Sequence, residues 1–375
     1  MKRIKRNLDE VLYRNKLFYD RNNTDRPLFN INILLSRDYM QTYKETYKCI
    51  PMDRELKPED IVTEALIKDI DNFITLHEEV DADNFFAVQS FVYMPWMEAI
   101  VGCQIYAGRD SLYSKPFIES SKDYPEKIDL SENNKWLSKL LEMDNALLDY
   151  YGDSYPTCCT TLLRGPTDIT SAAIGPVKFC LELYDNPDKL KKLIGIFTDA
   201  FIKVAKLESE IASRSKFSGF ILSNFGLWTP EPCHWLSDDA IVYLSPKFFR
   251  EFILKNHLKI DENFESYFCH IHPTTLFMVD ELVNYPNLKI VEINREILGG
   301  VYCINDLVPA FKKLQDSGKS IMILYDHFDV DIELIEKELI IIKDNLSNRG
   351  MCIQIYVEDV TDGIRKVNLL KKIFK

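Results

Sequence analysis

From residue 85 onward, short apolar runs alternate with longer segments in which apolar residues recur every three or four positions. The runs are rich in β-branched and aromatic residues and read as strands, and the longer segments read as amphipathic helices. The runs are FFAVQSF from 85, TCCTTLLRG from 157, FSGFILSNFG from 217, DAIVYLSP from 239, SYFCHIHP from 266, LKIVEINRE from 288, SIMILYDH from 320 and MCIQIYVED from 351. Helical segments separate them: Pro176 to Ala212, long enough for two helices, then Pro246 to Lys259, Thr275 to Asn284, Asn305 to Asp316, Asp331 to Asn348 and Thr361 to Phe374.

Eight strands alternating with helices predict an α/β fold, a (β/α)8 TIM barrel, because right-handed crossovers place every helix outside a closed parallel sheet. A doubly wound open sheet is the other arrangement. It lacks support, since no glycine-rich turn follows the first strand and neither GxGxxG nor GxxxxGK[ST] occurs. Residues 1–80 break the rhythm, with charged helical stretches at Leu8 to Asp20 and Pro58 to Val80 around an apolar FNINILL. They are expected to form an N-terminal helical extension packed on the barrel, which then occupies 81–375.

Composition narrows the partners. A net charge of −12 argues against a nucleic-acid partner, which needs clustered, uncompensated Lys and Arg. The basic start MKRIKR precedes no apolar signal core, and no stretch approaches the roughly 20 apolar residues of a membrane span. A cytoplasmic location without membrane attachment is expected. Nine cysteines without a CxxC pair, several of them inside apolar runs, suit buried thiols in a reducing compartment.

The chemistry concentrates in YFCHIHP, Tyr267 to Pro273, which carries two of the chain's six histidines. Residues two apart on a strand share a face, so His270 and His272 point the same way. Such a pair is either two hydrogen-bonded core histidines or the beginning of a metal site.

The strings YMPWMEAIVGCQIYAG, LLRGPTDITSAAIGPVKFCLELYDNPDKLKKLI, SDDAIVYLSPKFFREFILKNHLKI and HIHPTTLFMVDELVNYPNLKIVEI together resemble, in their order, the uroporphyrinogen decarboxylase superfamily. The resemblance spans about residues 85 to 350. It implies a (β/α)8 barrel, homodimers in many members, and two branches: the decarboxylase, and methyltransferases that pass a methyl group to a corrinoid. The decarboxylase branch carries an N-terminal RQAGR string, and the corresponding start here reads RPLFNINILLSRDYM without it.

The methyltransferase branch holds zinc through a His-x-Cys pair and a distant cysteine. Here the pair is His270 and His272, and the last strand ends in Glu358 and Asp359, with Cys352 at its start. The resemblance implies a divalent metal, zinc, and a corrinoid (cobalamin) carried by a partner protein; because histidine replaces the family's cysteine and the distant cysteine has no clear match, the metal ligands expected here are His270, His272 and Glu358. Two histidines and a carboxylate match open catalytic sites, where the ion acts as a Lewis acid.

Barrel function sits at the C-terminal strand ends, which gathers the remaining candidates. Glu292, Asp239 and His327 are the expected catalytic groups: Glu292 is a carboxylate inside an apolar strand, Asp239 belongs to a pair with Asp238 that either caps a helix or acts chemically, and His327 ends the seventh strand. Trp96, Arg164, Asn224, Trp228, Asn294 and Tyr356 are the expected substrate contacts, with Trp235 as a further stacking candidate. The expected activity is methyl transfer from a small methoxylated or methylated substrate. The alternatives are a cofactor-free decarboxylase, with Arg164 and Arg295 binding carboxylates, and a non-catalytic barrel that binds a small ligand.

Overall fold

The computed structural model describes residues 7–33, 42–108, 111–297, 302–326 and 330–375. Its strands are β1 (Leu28–Ile33), β2 (Gln104–Ala107), β3 (Leu112–Lys115), β4 (Phe220–Leu222), β5 (Leu227–Thr229), β6 (His234–Ser237), β7 (Tyr267–Ile271), β8 (Leu288–Asn294), β9 (Ser320–Tyr325) and β10 (Met351–Val357). Six of them form a parallel sheet in the order β1-β10-β9-β8-β7-β6, while β2-β3 and β4-β5 are antiparallel hairpins.

The sheet is buried on both faces, which is why its strands read as nearly continuous apolar runs. Alternate residues serve different cores. Phe29, Ile31, Ile271, Val291, Ile293, Ile323, Ile353 and Ile355 pack with the surrounding helices. Leu28, Trp235, Phe268, Ile290, Met322, Leu324, Cys352 and Tyr356 turn to the other face and form a smaller cluster. Phe225 and Leu227 of the β4–β5 hairpin and Phe18 of the first helix, Leu8–Tyr19, complete that cluster. At the hairpin turn Gly226 has φ +62°, and a Cβ there would overlap the Phe85 carbonyl.

The first helix lies against the N-terminal ends of the strands. The Tyr19 hydroxyl meets Ser266 Oγ at 2.9 Å just before β7, and Arg21 donates to the carbonyls of Gln315 (2.9 Å) and Lys319 just before β9. Leu28–Ile33, inside the segment expected to be an extension, is instead β1 and pairs with β10 along its whole length.

Four expected strands take other forms. Residues 85–91 and 157–164 carry isolated parallel bridges, Val88 with Thr157, Cys158 with Ile221 and Arg164 with Ser237, rather than ladders. Side chains occupy the places a neighbouring strand would fill: along β1 the backbone N–H groups of Phe29, Ile31 and Ile33 donate to Asp83, Asn84 and His77. The Thr160 hydroxyl likewise accepts from Trp235 N–H, and Glu208 accepts from Thr161 N–H. FSGFILSNFG folds into the β4–β5 hairpin, and DAIVYLSP opens with a 3-10 turn, Asp239–Tyr243, so the strand there is the preceding HWLS. The described residues thus form a mixed α/β fold around a parallel sheet whose regular ladder runs from β1 to β6. Among them no helix is long and apolar enough to cross a membrane.

Candidate metal centre

Parallel register sets Ser237, His270 and Glu292 side by side on β6, β7 and β8. Their neighbours two residues on, Asp239, His272 and Asn294, follow at or just beyond the C-terminal ends. Because β6 stops at Ser237, Asp239 leaves the strand rather than entering one, and its carboxylate turns toward the histidines. His270 Nε2 lies 3.1 Å from His272 Nε2, and Asp239 Oδ1 lies 3.4 Å from His272 Nε2 and 3.8 Å from His270 Nε2.

These separations test the metal reading directly. Ligand atoms about 2.0–2.1 Å from a tetrahedral zinc ion lie roughly 3.3 Å from one another, close to the triangle observed. The outward ring nitrogens agree with it: His270 Nδ1 pairs with Glu292, and His272 Nδ1 pairs with Glu296. A carboxylate at Nδ1 holds the proton there and aims the Nε2 lone pair inward, the usual arrangement behind metal-bound histidines. Asp239, His270 and His272 are the group of potential ligands that the described residues bring together.

The electrostatics favour positive charge at this point. Burial opposes a charge on His272, but Asp239 and Glu296 outweigh it and lift the imidazolium to about 9. Burial works against His270 as well, and Glu292 and Asp239 still raise it. Glu292 is fully buried, and that burial pushes its carboxyl up against the pull of His270. Burial also disfavours ionised Asp239, yet the two histidines hold its carboxyl well below the usual range. Protons or a metal ion can satisfy the same cluster.

Two reciprocal caps hold the loops that carry the site. The helix Pro166–Ile174 begins beside β6, and Asp238 accepts from Thr167 N–H (2.8 Å), Thr167 Oγ1–H (2.8 Å) and Asp168 N–H (3.0 Å). Asp168 in turn accepts from Asp239 N–H (3.1 Å) and Ala240 N–H (2.6 Å), which fixes the turn bearing Asp239. Gly165 permits the close approach, since its Cβ would lie 2.6 Å from the Ser237 carbonyl oxygen. Asp238, also bonded to buried His257 at 3.1 Å, is structural, and Asp239 alone of the pair faces the histidines.

The other sequence-derived candidates separate. Glu358 is exposed beyond β10, with β9 and β8 standing between its strand and β7, so at about 4.8 Å per strand it sits far from the histidines; Asp239 takes its expected place. Glu292, expected to act on substrate, is instead the partner of His270. His327 lies outside the described residues.

Trp96 is a core residue, donating to the Phe91 carbonyl at 2.9 Å and packing edge-on against Trp136. Trp228 is tied to the first helix through Asn15, away from the strand ends that carry the site. Trp235 does stack in the interior, on Phe268 and next to His270, whose ring centroid is 5.9 Å away.

Asn224 and Tyr356 meet at 3.4 Å, and Asn294 donates to Asp326 at 2.8 Å, both on the inner side of the sheet. Arg164 reaches Glu98 at 3.2 Å and lines a cavity shared with Asp239. Arg295 is spent on Glu338, to which it donates at 2.7–3.2 Å, so it does not face a ligand. His234 stacks on Phe264, and burial pulls its imidazolium down to about 3, so it is a core histidine. Glu296 was missed; one more step of the strand's alternation, from Glu292 through Asn294, would have reached it.

No protein-family model matches this chain, and a search of curated proteins finds no relative. Among solved structures the chain is similar to a methyltransferase from Methanosarcina mazei, with a TM-score of 0.66 and 12% sequence identity over 97% of this chain and 99% of that one. A likeness at that identity carries the fold across nearly the whole length of both chains, and the candidate centre stands on its own geometry.

Proposed function

We propose that the protein is a metal-dependent methyltransferase component that takes a methyl group from a small methoxylated or methylated compound and gives it to a reduced corrinoid held by a partner protein. The observation that carries the reading is the triangle of His270 Nε2, His272 Nε2 and Asp239 Oδ1, with carboxylates behind both imidazoles. The overall likeness to a methyltransferase supports it.

His270, His272 and Asp239 would hold a divalent cation, and the all nitrogen and oxygen donor set suits zinc. Bound there, the cation supplies Lewis acidity toward the heteroatom that bears the methyl group. Glu292 and Glu296 pair with the Nδ1 atoms and would fix both rings so that each Nε2 points at the cation. Trp235 backs His270 from inside the sheet and excludes water from that side. Asp239 is half exposed toward the cavity, which leaves the substrate an open approach.

Elemental analysis of the purified protein tests the first half, with about one equivalent of metal expected and none in His270→Ala/His272→Ala. Incubation with cob(I)alamin and simple methoxyaromatics tests the second by the appearance of methylcobalamin. Stoichiometric metal without methyl transfer to any such donor would leave a binding site and remove the methyltransferase.

A further inference from the structure

We propose that the cavity beside the triad is a subsite for a small carboxylate, clamped by Arg164 at one end and facing Asp239 at the other. That this carboxylate is the methyl donor rests on the metal-centre reading above. The subsite itself rests on Arg164 and its surroundings.

The cavity measures about 480 Å³, room for a single ring with its substituents, and both Arg164 and Asp239 line it. A molecule filling it therefore extends from a guanidinium to one of the three candidate metal ligands. Tyr113 and Tyr243, both largely exposed, form two of its walls and offer flat faces to a ring.

The state of Arg164 is what singles out an anion. Its side chain is 52% exposed, whereas its partner Glu98 is fully buried, and the two approach most closely at Arg164 Nη1, 3.2 Å from Glu98 Oε1. Guanidinium carries five N–H donors in a rigid fork, so an ion pair made at the Nη1 corner of a half-exposed side chain leaves another edge for a second carboxylate. Arg295 makes the contrast: it is buried and spreads its donors over Glu338 and two backbone carbonyls.

Glu98 tethers one terminal nitrogen of the Arg164 guanidinium. A tethered arginine loses less conformational freedom on binding than a free surface one, which favours bidentate capture of a carboxylate. The negative groups nearby do not fill this role, since Asp168 is committed to two backbone N–H groups and Asp239 to the histidines.

Calorimetric titration with benzoate and with benzyl alcohol, which keeps the ring and removes the charge, tests the subsite. Wild-type protein should bind benzoate at least about tenfold more tightly than the alcohol. Arg164→Gln should lose that preference, and Arg164→Lys should lose most of it, because a point charge replaces the fork.

Since Arg164→Gln leaves a buried Glu98 uncompensated, Glu98→Gln/Arg164→Gln removes both charges and should show the same loss in a folded protein. Equal binding of benzoate by wild type and the folded variants would overturn the subsite, as would wild type binding neither probe or showing no preference. Cobalt(II) titration of the same proteins, read by absorption, separates the two readings. Arg164→Gln should bind cobalt as wild type does, whereas loss of cobalt binding in wild type would sink the metal centre and leave the benzoate result standing.

Discussion

Asp168 and Asp238 cap each other's segments: Asp238 accepts the first free N–H groups of the helix that contains Asp168, and Asp168 accepts those of the turn that follows Asp238. The exchange welds the end of β6 to the helix Pro166–Ile174, and it places Arg164 and Asp239 on opposite sides of one joint. The adjacent aspartates thereby face different ways, Asp238 toward the helix and His257, and Asp239 toward His270 and His272.

Asp238→Ala should cost roughly 2–4 kcal/mol in urea unfolding, since it strips buried Thr167, Asp168 and His257 of an acceptor. Asp168→Asn should cost less, because the amide oxygen can still accept one N–H, but it loosens the turn carrying Asp239. Metal affinity, measured by competition with a chromophoric chelator, should therefore fall in Asp168→Asn even where folding is retained.

The carboxylates behind the histidines give a graded outcome. Glu292→Gln and Glu296→Gln should each weaken metal binding by about 10–100-fold, the range typical of groups that orient a ligand through its second nitrogen. Glu292 should matter more, because it is fully buried whereas the Glu296 side chain is about one-third exposed. Circular dichroism should show both variants folded; equal affinity in wild type and Glu292→Gln would contradict the arrangement.

Arg295 and Glu338 form a buried pair, with side chains 6% and 5% exposed, and the Tyr325 hydroxyl donates to Glu338 at 3.1 Å. Arg295 also donates to the carbonyls of Tyr302 (2.7 Å) and Glu296 (3.3 Å), so the pair fixes the backbone from which Glu296 reaches His272. Glu338→Ala should destabilise by about 3–5 kcal/mol, as expected when one buried charge loses its partner. Arg295→Met/Glu338→Leu should recover much of that stability in denaturant melts while leaving metal affinity reduced, because Glu296 is no longer held.

How much of this was legible in the chain depends on where each hydrogen bond ends. β7 to β10 could be read because burial on both faces makes each a nearly continuous apolar run. The runs at 85 and 157 have the same composition, but distant side chains complete their neighbourhood: Asp83 and Asn84 reach β1 more than 50 positions away, and Glu208 reaches Thr161. Periodicity carries no trace of such partners. In DAIVYLSP the β-branched residues suggest a strand, while the Asp168 carboxylate, more than 70 positions upstream, caps a turn there. The HIH spacing located the centre because it is local. Its third member was misassigned to Glu358 because strand order, which separates β10 from β7, is a property of the sheet and not of either strand.

A second acid pair, away from the candidate centre, makes stability depend on pH. Asp144, on the helix Lys135–Tyr151, accepts from Ser90 Oγ–H at 2.6 Å, and Glu208, on Pro187–Ala212, accepts from Thr161 N–H at 3.0 Å. Their other oxygens, Asp144 Oδ2 and Glu208 Oε2, are buried with no donor among the described residues, so a proton shared between the two carboxyls satisfies both. Burial pushes Asp144 up to about 7, and burial together with Asp144 raises Glu208 well above the usual carboxyl range. Carboxyls raised above an unfolded value near 4 bind more protons in the folded state. Their contribution is therefore complete below about pH 4 and is lost as pH rises through 7. Going from pH 5 to pH 8 should cost wild type about 2 kcal/mol more than it costs Asp144→Asn/Glu208→Gln, read as the difference in urea midpoints at the two pH values. A wild-type slope no steeper than that of the double variant would mean that the two carboxyls do not share a proton.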